Sequence, residues 1–134
     1  MPEPLEKLKT LYEEWARGDY SRSDIFDPAM RMETFGMGEP LRADSYEGFV
    51  DAMRGWLSAW ERPITIEAEE FIVSGDRVLA LITWIGRGKG SGAQVESPGA
   101  HLWSFRDGLV VHYGVYRDRD EARAALAHSS AEPG

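Results

Sequence analysis

The sequence predicts an α+β fold in which helices pack on one face of a curved antiparallel sheet. Two observations support this prediction. Apolar residues recur every three to four positions in roughly the first 60 residues, as they do along amphipathic helices, and they alternate with polar residues from about residue 64 onward, as they do along strands. Helices therefore come first and an antiparallel meander follows, which is an order typical of α+β domains.

The opening segment predicts an amphipathic helix that ends at Gly18. A short second helix is predicted over residues 21–28, since Pro28 disfavours helical backbone in the residue before it. A strand over residues 30–35 follows. The apolar residues of the first helix are Leu5, Leu8, Leu11, Tyr12 and Trp15.

A third helix is predicted to begin at Asp44, with Glu47 as its capping-box partner, and to end at Pro63. Its apolar residues are Tyr46, Phe49, Met53, Trp56, Leu57 and Trp60. A last helix is predicted to begin near Asp118. Between these two helices, strands are predicted over residues 64–74, 77–87, 93–105 and 109–117.

Length and charge limit the class of protein. The 134 residues suit one domain, expected over residues 1–128, with a flexible tail over 129–134. The formal net charge of -8 disfavours nucleic acid and anionic membranes as partners. The chain has no cysteine, which excludes thiol chemistry, and no apolar run long enough for a signal peptide or membrane span. A cytoplasmic location is therefore expected.

The turn between the last two strands predicts which of their residues face inward. A three-residue loop over residues 106–108 places Phe105 opposite Leu109, with Gly108 in the left-handed conformation. One face of this hairpin is then the more apolar, so we expect it to line the interior. It carries His101, Trp103, Phe105, Leu109, Val111, Tyr113 and Val115.

A two-residue loop at Gly75 and Asp76 joins the preceding pair of strands. One face of that pair is almost purely aliphatic, with Glu70 and Thr83 as its polar members, and we expect this face to be interior too. The opposite, outer face would carry Val78, Ala80, Ile82 and Trp84. Exposed apolar patches commonly mark interfaces, so these four residues predict a homodimer.

Three polar residues of the expected interior, Glu70, His101 and Tyr113, are candidates for acid–base catalysis. Burial raises the pKa of a carboxyl group, which would suit Glu70 to act as a base. Two strands separate Glu70 from His101, or roughly 10 Å at about 4.8 Å per strand, a gap that fits a flat substrate. The alternatives stay open: His101 is a hydrogen-bonded core residue, a ligand contact or a catalytic group, and Glu70 is a structural or a catalytic carboxylate.

Two segments, "EEFIVSGDRVLALITWIGRGKGSG" and "HLWSFRDGLVVHYGVYRDRDEA", and the opening helix that ends in "WARGD" resemble the nuclear-transport-factor-2-like superfamily and, within it, the SnoaL-like proteins. The resemblance covers most of the chain. It implies a cone-shaped barrel, with the sheet wrapped around the N-terminal helices, a pocket at one end and a homodimer. Relatives include ketosteroid isomerases, limonene-type epoxide hydrolases, polyketide cyclases and proteins that only bind or scaffold, so fold does not decide function.

Aligned with these relatives, the oxyanion-hole aspartate of the isomerases falls at His101, and their general-base aspartate falls near Thr34. The isomerase tyrosine falls at Leu11, next to Tyr12. The aspartate that cyclases and epoxide hydrolases carry on the last strand falls at Val115. The catalytic side chains of these relatives are therefore mostly missing here, and the oxyanion-hole position keeps a polar group, His101.

The leading hypothesis is a cofactor-independent pocket protein that acts on a small hydrophobic or polyketide-like molecule; if it is an enzyme, its chemistry would be proton transfer of the isomerase or cyclase kind. Glu70 would be the base, and His101 with Tyr113 would stabilise the developing oxyanion. A non-catalytic ligand-binding or dimerisation module of the same fold is the alternative, and an epoxide hydrolase is a minor one. No cofactor is expected, and no metal, because His101 and His112 point to opposite faces in this register. The residues expected to line the substrate pocket are Tyr12, Trp15, Phe35, Met53, Trp56, Trp60, Thr83, Trp103 and Val115.

Overall fold

A computed structural model describes residues 3–36, 41–58, 60–88 and 92–129. These ranges contain three helices and six strands. The helices are α1 (Glu3–Trp15), α2 (Tyr46–Ser58) and α3 (Arg119–Ser129). The strands are β1 (Phe26–Phe35), β2 (Arg42–Ala43), β3 (Trp60–Ser74), β4 (Arg77–Gly88), β5 (Gln94–Arg106) and β6 (Leu109–Tyr116).

The six strands form one curved sheet in the order β2-β1-β6-β5-β4-β3. The strands β3 to β6 make the predicted antiparallel meander, while β1 lies parallel to β6. The predicted α+β fold is confirmed, and the sheet stays open rather than closing into a barrel. No helix in the described ranges is long and apolar enough to cross a membrane.

The predicted second helix is wrong, because β1 already begins at Phe26. Phe26 pairs with Val110 of β6, and its ring stacks on Tyr46 at a centroid distance of 5.2 Å. Met30 is fully buried four residues later. Burial against the sheet and α2 therefore outweighs the local helical pattern in this segment.

The third predicted helix is confirmed, but it begins and ends at residues other than those predicted. Ser45 is its N-cap, because the Ser45 hydroxyl accepts a hydrogen bond of 3.0 Å from the backbone N–H of Gly48. Asp44, the predicted cap, is exposed. The helix ends at Ser58, and Trp60 already begins β3, well before Pro63.

The last helix is confirmed with its predicted cap. The Asp118 carboxylate accepts hydrogen bonds from the backbone N–H groups of Asp120 and Glu121, at 2.7 and 3.2 Å. The helix runs through Ser129, one residue into the predicted tail, and residues 130–134 lie outside the described ranges.

Each face of the sheet buries its own apolar cluster. We call the side that packs on α1 and α2 the inner face, and the side that packs on α3 the outer face. The inner cluster includes Leu8, Leu11, Tyr12, Phe49, Ile66, Val78, Ala80, Ile82, Trp103, Phe105 and Tyr113. The outer cluster consists of Leu79, Leu81, Ala100, Leu102, Tyr116, Ala122 and Leu126.

The predicted faces of β4 are reversed in the structure. Val78, Ala80, Ile82 and Trp84 belong to the inner face, whereas Leu79 and Leu81 pack beneath α3. Both faces of this strand are apolar because both are covered, so aliphatic character could not distinguish them. These residues therefore form no exposed patch on the outer face, and the homodimer stays a prediction.

A β-bulge on β3 changes the predicted position of Glu70. Ala68 pairs with Ile82 and Glu70 pairs with Leu81, so Glu69 is an extra residue between them. Glu70 thereby falls on the outer face and is exposed. Its predicted place in the interior is wrong, and it cannot act as a base there.

Thr83 lies on the outer side of β4, like Leu79 and Leu81, so the reversal of the faces of β4 also removes it from the expected interior. Thr83 pairs with Glu67 and is half-buried. Its hydroxyl donates a hydrogen bond of 2.5 Å to the exposed carboxylate of Glu69. Its predicted contact with a substrate in the interior is therefore wrong.

The hairpin between β5 and β6 has a shorter turn than predicted. Arg106 pairs with Leu109, and the two loop residues Asp107 and Gly108 have φ angles of 54° and 79°, as a type I′ turn requires. A bulge then adds Val111 to β6, because Phe105 pairs with Val110 and Ser104 with His112.

This bulge restores the predicted inner residues. Trp103 pairs with Tyr113, and His101 pairs with Val115, each two positions along β6 from the partner that the predicted turn gives. His101, Trp103 and Tyr113 are buried in the inner face, as predicted.

Candidate functional site

A cavity of about 390 Å³ lies between the inner face of the sheet and α2. This volume falls within the range of about 300–1,000 Å³ that is usual for small-molecule sites. Strands β1, β3, β4, β5 and β6 supply most of the wall, and α2 covers it with three residues. The lining residues are Met32, Thr34, Leu41, Ala52, Met53, Trp56, Ile66, Ile82, Trp84, Val95, Ser97, Pro98, Gly99, His101, Tyr113, Val115, Tyr116 and Arg117.

A chain of hydrogen bonds passes through His101 at the deep end of this cavity. The Nδ1 atom of His101 lies 2.6 Å from the Tyr12 hydroxyl, and its Nε2 atom lies 3.2 Å from the Tyr113 hydroxyl. The indole N–H of Trp103 donates to the Tyr12 hydroxyl at 2.8 Å. All four side chains are buried, and His101 is only 3% exposed. We call this set the His101 relay.

Burial keeps the imidazole of the relay neutral. Desolvation lowers the pKa of His101 from 6.5 to about 3, so the ring carries one N–H donor and one acceptor nitrogen at neutral pH. Burial likewise raises the pKa of Tyr12 and of Tyr113, and both hydroxyls stay protonated. The relay is therefore a set of neutral groups whose protons can be assigned by pairing donors with acceptors.

Each tautomer of His101 leaves one hydroxyl proton without a partner in the relay, and the two tautomers differ in where that proton lies. If Nδ1 of His101 carried the proton, the Tyr12 hydroxyl would accept two hydrogen bonds and its own proton would have no acceptor in the core. With the proton on Nε2, Tyr12 donates to Nδ1 and His101 donates to the Tyr113 oxygen. The Tyr113 O–H is then the remaining donor, and Tyr113 lines the cavity.

Aromatic packing holds the relay in place. The Tyr113 ring stacks on Trp103 at a centroid distance of 4.2 Å, and Trp15 contacts His101 edge-on at 6.1 Å. Tyr12 lies parallel to His101 at 5.8 Å. Trp15, Tyr12 and Trp103 therefore support the relay from behind and are not among the lining residues, although the sequence predicted them as substrate contacts.

The other predicted substrate contacts fall in different places. Met53, Trp56 and Val115 line the cavity, together with His101 and Tyr113. Phe35 is on the outer side, where its ring stacks on Tyr116 at 4.5 Å. Thr83 and Glu70 are outside, as described above. The side chain of Trp60 lies outside the described residues.

Several lining residues were missed by the sequence analysis. Ile82 and Trp84 were assigned to the outer face because β4 was read in the reverse orientation. Thr34 is buried, and its hydroxyl accepts a hydrogen bond of 2.8 Å from the backbone of Leu41. Arg117 follows β6 directly and continues the alternation of Tyr113 and Val115, a signal that the sequence does contain.

The charges around the cavity restrict the chemistry of the site. None of the described residues that line it has a carboxylate, and Arg117 is the one charged side chain among them. In the same ranges, no cluster of three or more His, Asp or Glu side chains could hold a metal ion. The described lining therefore offers a neutral hydroxyl donor at the deep end and a guanidinium elsewhere in the wall.

Solved structures share this architecture at low sequence identity. A protein from Jannaschia sp. CCS1, described as a candidate SnoaL-like polyketide cyclase, is 20% identical over 98% of this chain and 94% of its own, with a TM-score of 0.72. TerC, crystallised with polyporic acid, is 16% identical over 93% of this chain and 98% of its own, with a TM-score of 0.70.

A protein from Catenulispora acidiphila DSM 44928 has a ketosteroid isomerase-like fold and was solved in complex with trimethylamine. It is 15% identical over 83% of this chain and 84% of its own, with a TM-score of 0.65. Identities this low show a common fold only. No curated protein matches the chain.

The family itself is shown by a match over most of the sequence. The model of the SnoaL-like domain matches residues 8–113, which include most of α1, all of β1 to β5 and α2, and the first five residues of β6. Tyr12, His101 and Tyr113 all lie within the match. The chain therefore belongs to the SnoaL-like domain family.

Proposed function

We propose that this protein binds a small, largely apolar molecule in the cavity, with an acceptor oxygen of that molecule on the Tyr113 hydroxyl. The observation that carries the proposal is that Tyr113, at the end of the His101 relay, lines the cavity; our proton assignment leaves its O–H without an acceptor among the described residues. A buried donor without a partner costs about 1–3 kcal/mol, so a ligand oxygen that accepts from it is stabilised.

The remaining lining favours an apolar ligand body. Met53, Trp56, Ile82, Trp84 and Val115 surround the space next to the relay. Each Å² of apolar ligand surface removed from water contributes about 25 cal/mol. Two solved relatives of the same fold hold small molecules, polyporic acid in TerC and trimethylamine in the Catenulispora protein.

The second candidate function is catalysis on a molecule bound in the same cavity, and the same relay favours it. An isomerase or cyclase that works by proton transfer must stabilise negative charge on an enolate oxygen, and a neutral hydroxyl donor in a dry site does so. A proton removed from carbon must also reach a base. Because Glu70 is exposed on the outer face and no described lining residue has a carboxylate, we restrict this candidate to acidic polyketide-like dicarbonyl compounds, which lose that proton to water and enter the cavity as enolates.

The experiment is a fluorescence titration with 2-naphthol, a flat aromatic molecule with one oxygen. We expect Tyr113→Phe to weaken binding about two- to tenfold, since one neutral hydrogen bond is worth about 0.5–1.5 kcal/mol. Val115→Trp should abolish binding because it fills the cavity beside the relay.

Val73→Trp is the matched control, since Val73 is 53% exposed and outside the cavity. It should bind 2-naphthol as the wild type does. Equal binding by the Val115→Trp and Val73→Trp variants would place the probe elsewhere and contradict the proposal.

We also propose a homodimer and a cytoplasmic location. The homodimer is supported by the resemblance to a superfamily in which dimers are common, and the location by the absence of cysteine from the sequence. Light scattering during size-exclusion chromatography tests the assembly. A single species of 15.1 kDa, the mass of one chain, would contradict the dimer.

A further inference from the structure

Arg117 places a positive charge in the cavity wall, away from the His101 relay. The inner residues of β6 alternate with a period of two, so Tyr113, Val115 and Arg117 follow one another along the wall. Four residues of extended chain separate the Cα atoms of Tyr113 and Arg117 by roughly 13 Å. The cavity therefore has two polar ends, with an apolar stretch between them.

The end at Arg117 is the open one. Arg117 and Pro98 are exposed, and Leu41 is 45% exposed. At the other end, His101 and Tyr113 are almost completely buried. A ligand whose uncharged oxygen accepts from Tyr113 at the deep end would therefore have its opposite end near solvent, beside the guanidinium of Arg117.

No hydrogen bond or ion pair joins the Arg117 side chain to another residue in the described part of the chain. Other arginines of this acidic protein are paired, Arg22 with Glu14 at 2.6 Å and Arg42 with Glu33 at 3.0 Å. The adjacent carboxylate of Asp118 accepts hydrogen bonds from the first turn of α3. The guanidinium of Arg117 keeps its five donors available.

We propose that the ligand is an organic anion, whose carboxylate or similar group pairs with Arg117 while its uncharged oxygen accepts from Tyr113. This inference rests on the proposed function, since it names the ligand class of the same cavity. A planar guanidinium suits a carboxylate, which it can bind through two parallel hydrogen bonds. The net charge of -8 would otherwise repel such a ligand, so a local cation determines specificity.

The test compares two probes that differ by one carboxylate, 6-hydroxy-2-naphthoate and 2-naphthol. We expect the wild type to bind the hydroxynaphthoate about five- to tenfold more tightly, as a partly exposed charge-assisted pair allows. Arg117→Gln should remove this preference, so that the ratio of the two affinities falls to about one. The preference of the wild type should also decrease as salt is added.

Arg106→Gln is the matched control. It removes the same charge from an exposed arginine in β5 that does not line the cavity, and it should retain the preference. If Arg117→Gln retains the preference, or if the wild type binds 2-naphthol as tightly as the hydroxynaphthoate, the anionic ligand class is wrong while the cavity function stands. If neither probe binds in a way that Val115→Trp abolishes, both proposals are wrong.

Discussion

Burial sets the pKa of His101, and hydrogen bonds with Tyr12 and Tyr113 fix the orientation of its ring. The ring is buried without a carboxylate partner, and desolvation lowers its pKa to about 3. A histidine in this state cannot donate its proton as an acid near neutral pH, but it can fix the orientation of the Tyr113 hydroxyl. We therefore regard His101 as a positioning residue that acts through Tyr113.

The buried neutral imidazole makes stability depend on pH. Because the pKa is about 3 when folded and 6.5 in the reference state, the unfolded chain binds more protons between these values. Stability is full above about pH 6.5 and is lost as the pH falls toward 3. We expect a loss of about 2 kcal/mol between about pH 7.5 and about pH 5, before most carboxylates titrate.

Urea unfolding at several pH values measures this loss in the wild type and in His101→Gln. The glutamine amide can donate and accept a hydrogen bond but does not titrate, so this variant should have a flatter profile. If the free energy of unfolding depends on pH equally in both proteins, the buried imidazole does not cause that dependence.

The direction of the relay predicts unequal costs for its two tyrosines. Tyr12→Phe leaves both the Trp103 N–H and the His101 Nδ1 atom without a partner, and we expect a loss of about 2–4 kcal/mol in stability. Tyr113→Phe leaves one His101 N–H without an acceptor, and we expect about 1–2 kcal/mol. Urea denaturation of both variants provides the comparison, and the reverse order would contradict the proton assignment.

At the scale of elements, α3 braces the wall of the cavity from outside. Arg119, its first residue, donates to the backbone carbonyl of Ile82 at 2.8 Å and to that of Gly99 at 3.2 Å. It also pairs with the bulged Glu69 at 2.8 Å. Ile82 and Gly99 both line the cavity, so the guanidinium joins β3, β4 and β5 where their inner sides form the site.

We expect Arg119→Ala to lower stability by about 1–3 kcal/mol, because two partly buried carbonyls lose a charged donor. Binding of 2-naphthol should weaken as well, since the backbone of the wall loses its brace. Arg123→Ala is the control on the same helix, where the exposed Arg123 pairs with Asp120. Arg119→Ala should unfold at a lower temperature and bind 2-naphthol more weakly than Arg123→Ala. Equal unfolding temperatures and equal affinities in the two variants would contradict this supporting role of Arg119.

The sequence predicts the positions of the helices and strands better than it predicts which side of the sheet each strand residue faces. The meander strands, both long helices and the cap at Asp118 follow from periodicity and turn residues. The bulges that add Glu69 and Val111 have no sequence signal of their own, yet each reverses which side the following residues face. The first removed Glu70 from the expected interior, and the second kept Tyr113 there.

At the scale of the whole molecule, helices pack on both faces of the sheet over part of its area. The helix α3 buries Leu79 and Leu81, while α1 and α2 cover Val78, Ala80 and Ile82. Alternation along one strand cannot indicate which covered side holds a cavity, so this part of the site required the structure. The resemblance to SnoaL-like proteins predicted the architecture correctly, but the ligand class depends on Arg117 and Tyr113 of this chain.

A crystal structure of the protein with 2-naphthol bound would locate the probe relative to the Tyr113 hydroxyl. We expect the probe inside the cavity between Trp56 and Val115, with its oxygen within hydrogen-bonding distance, about 2.6–3.0 Å, of the Tyr113 hydroxyl. A probe bound on the outer face, or one whose oxygen points away from Tyr113 inside the cavity, would contradict the proposed function.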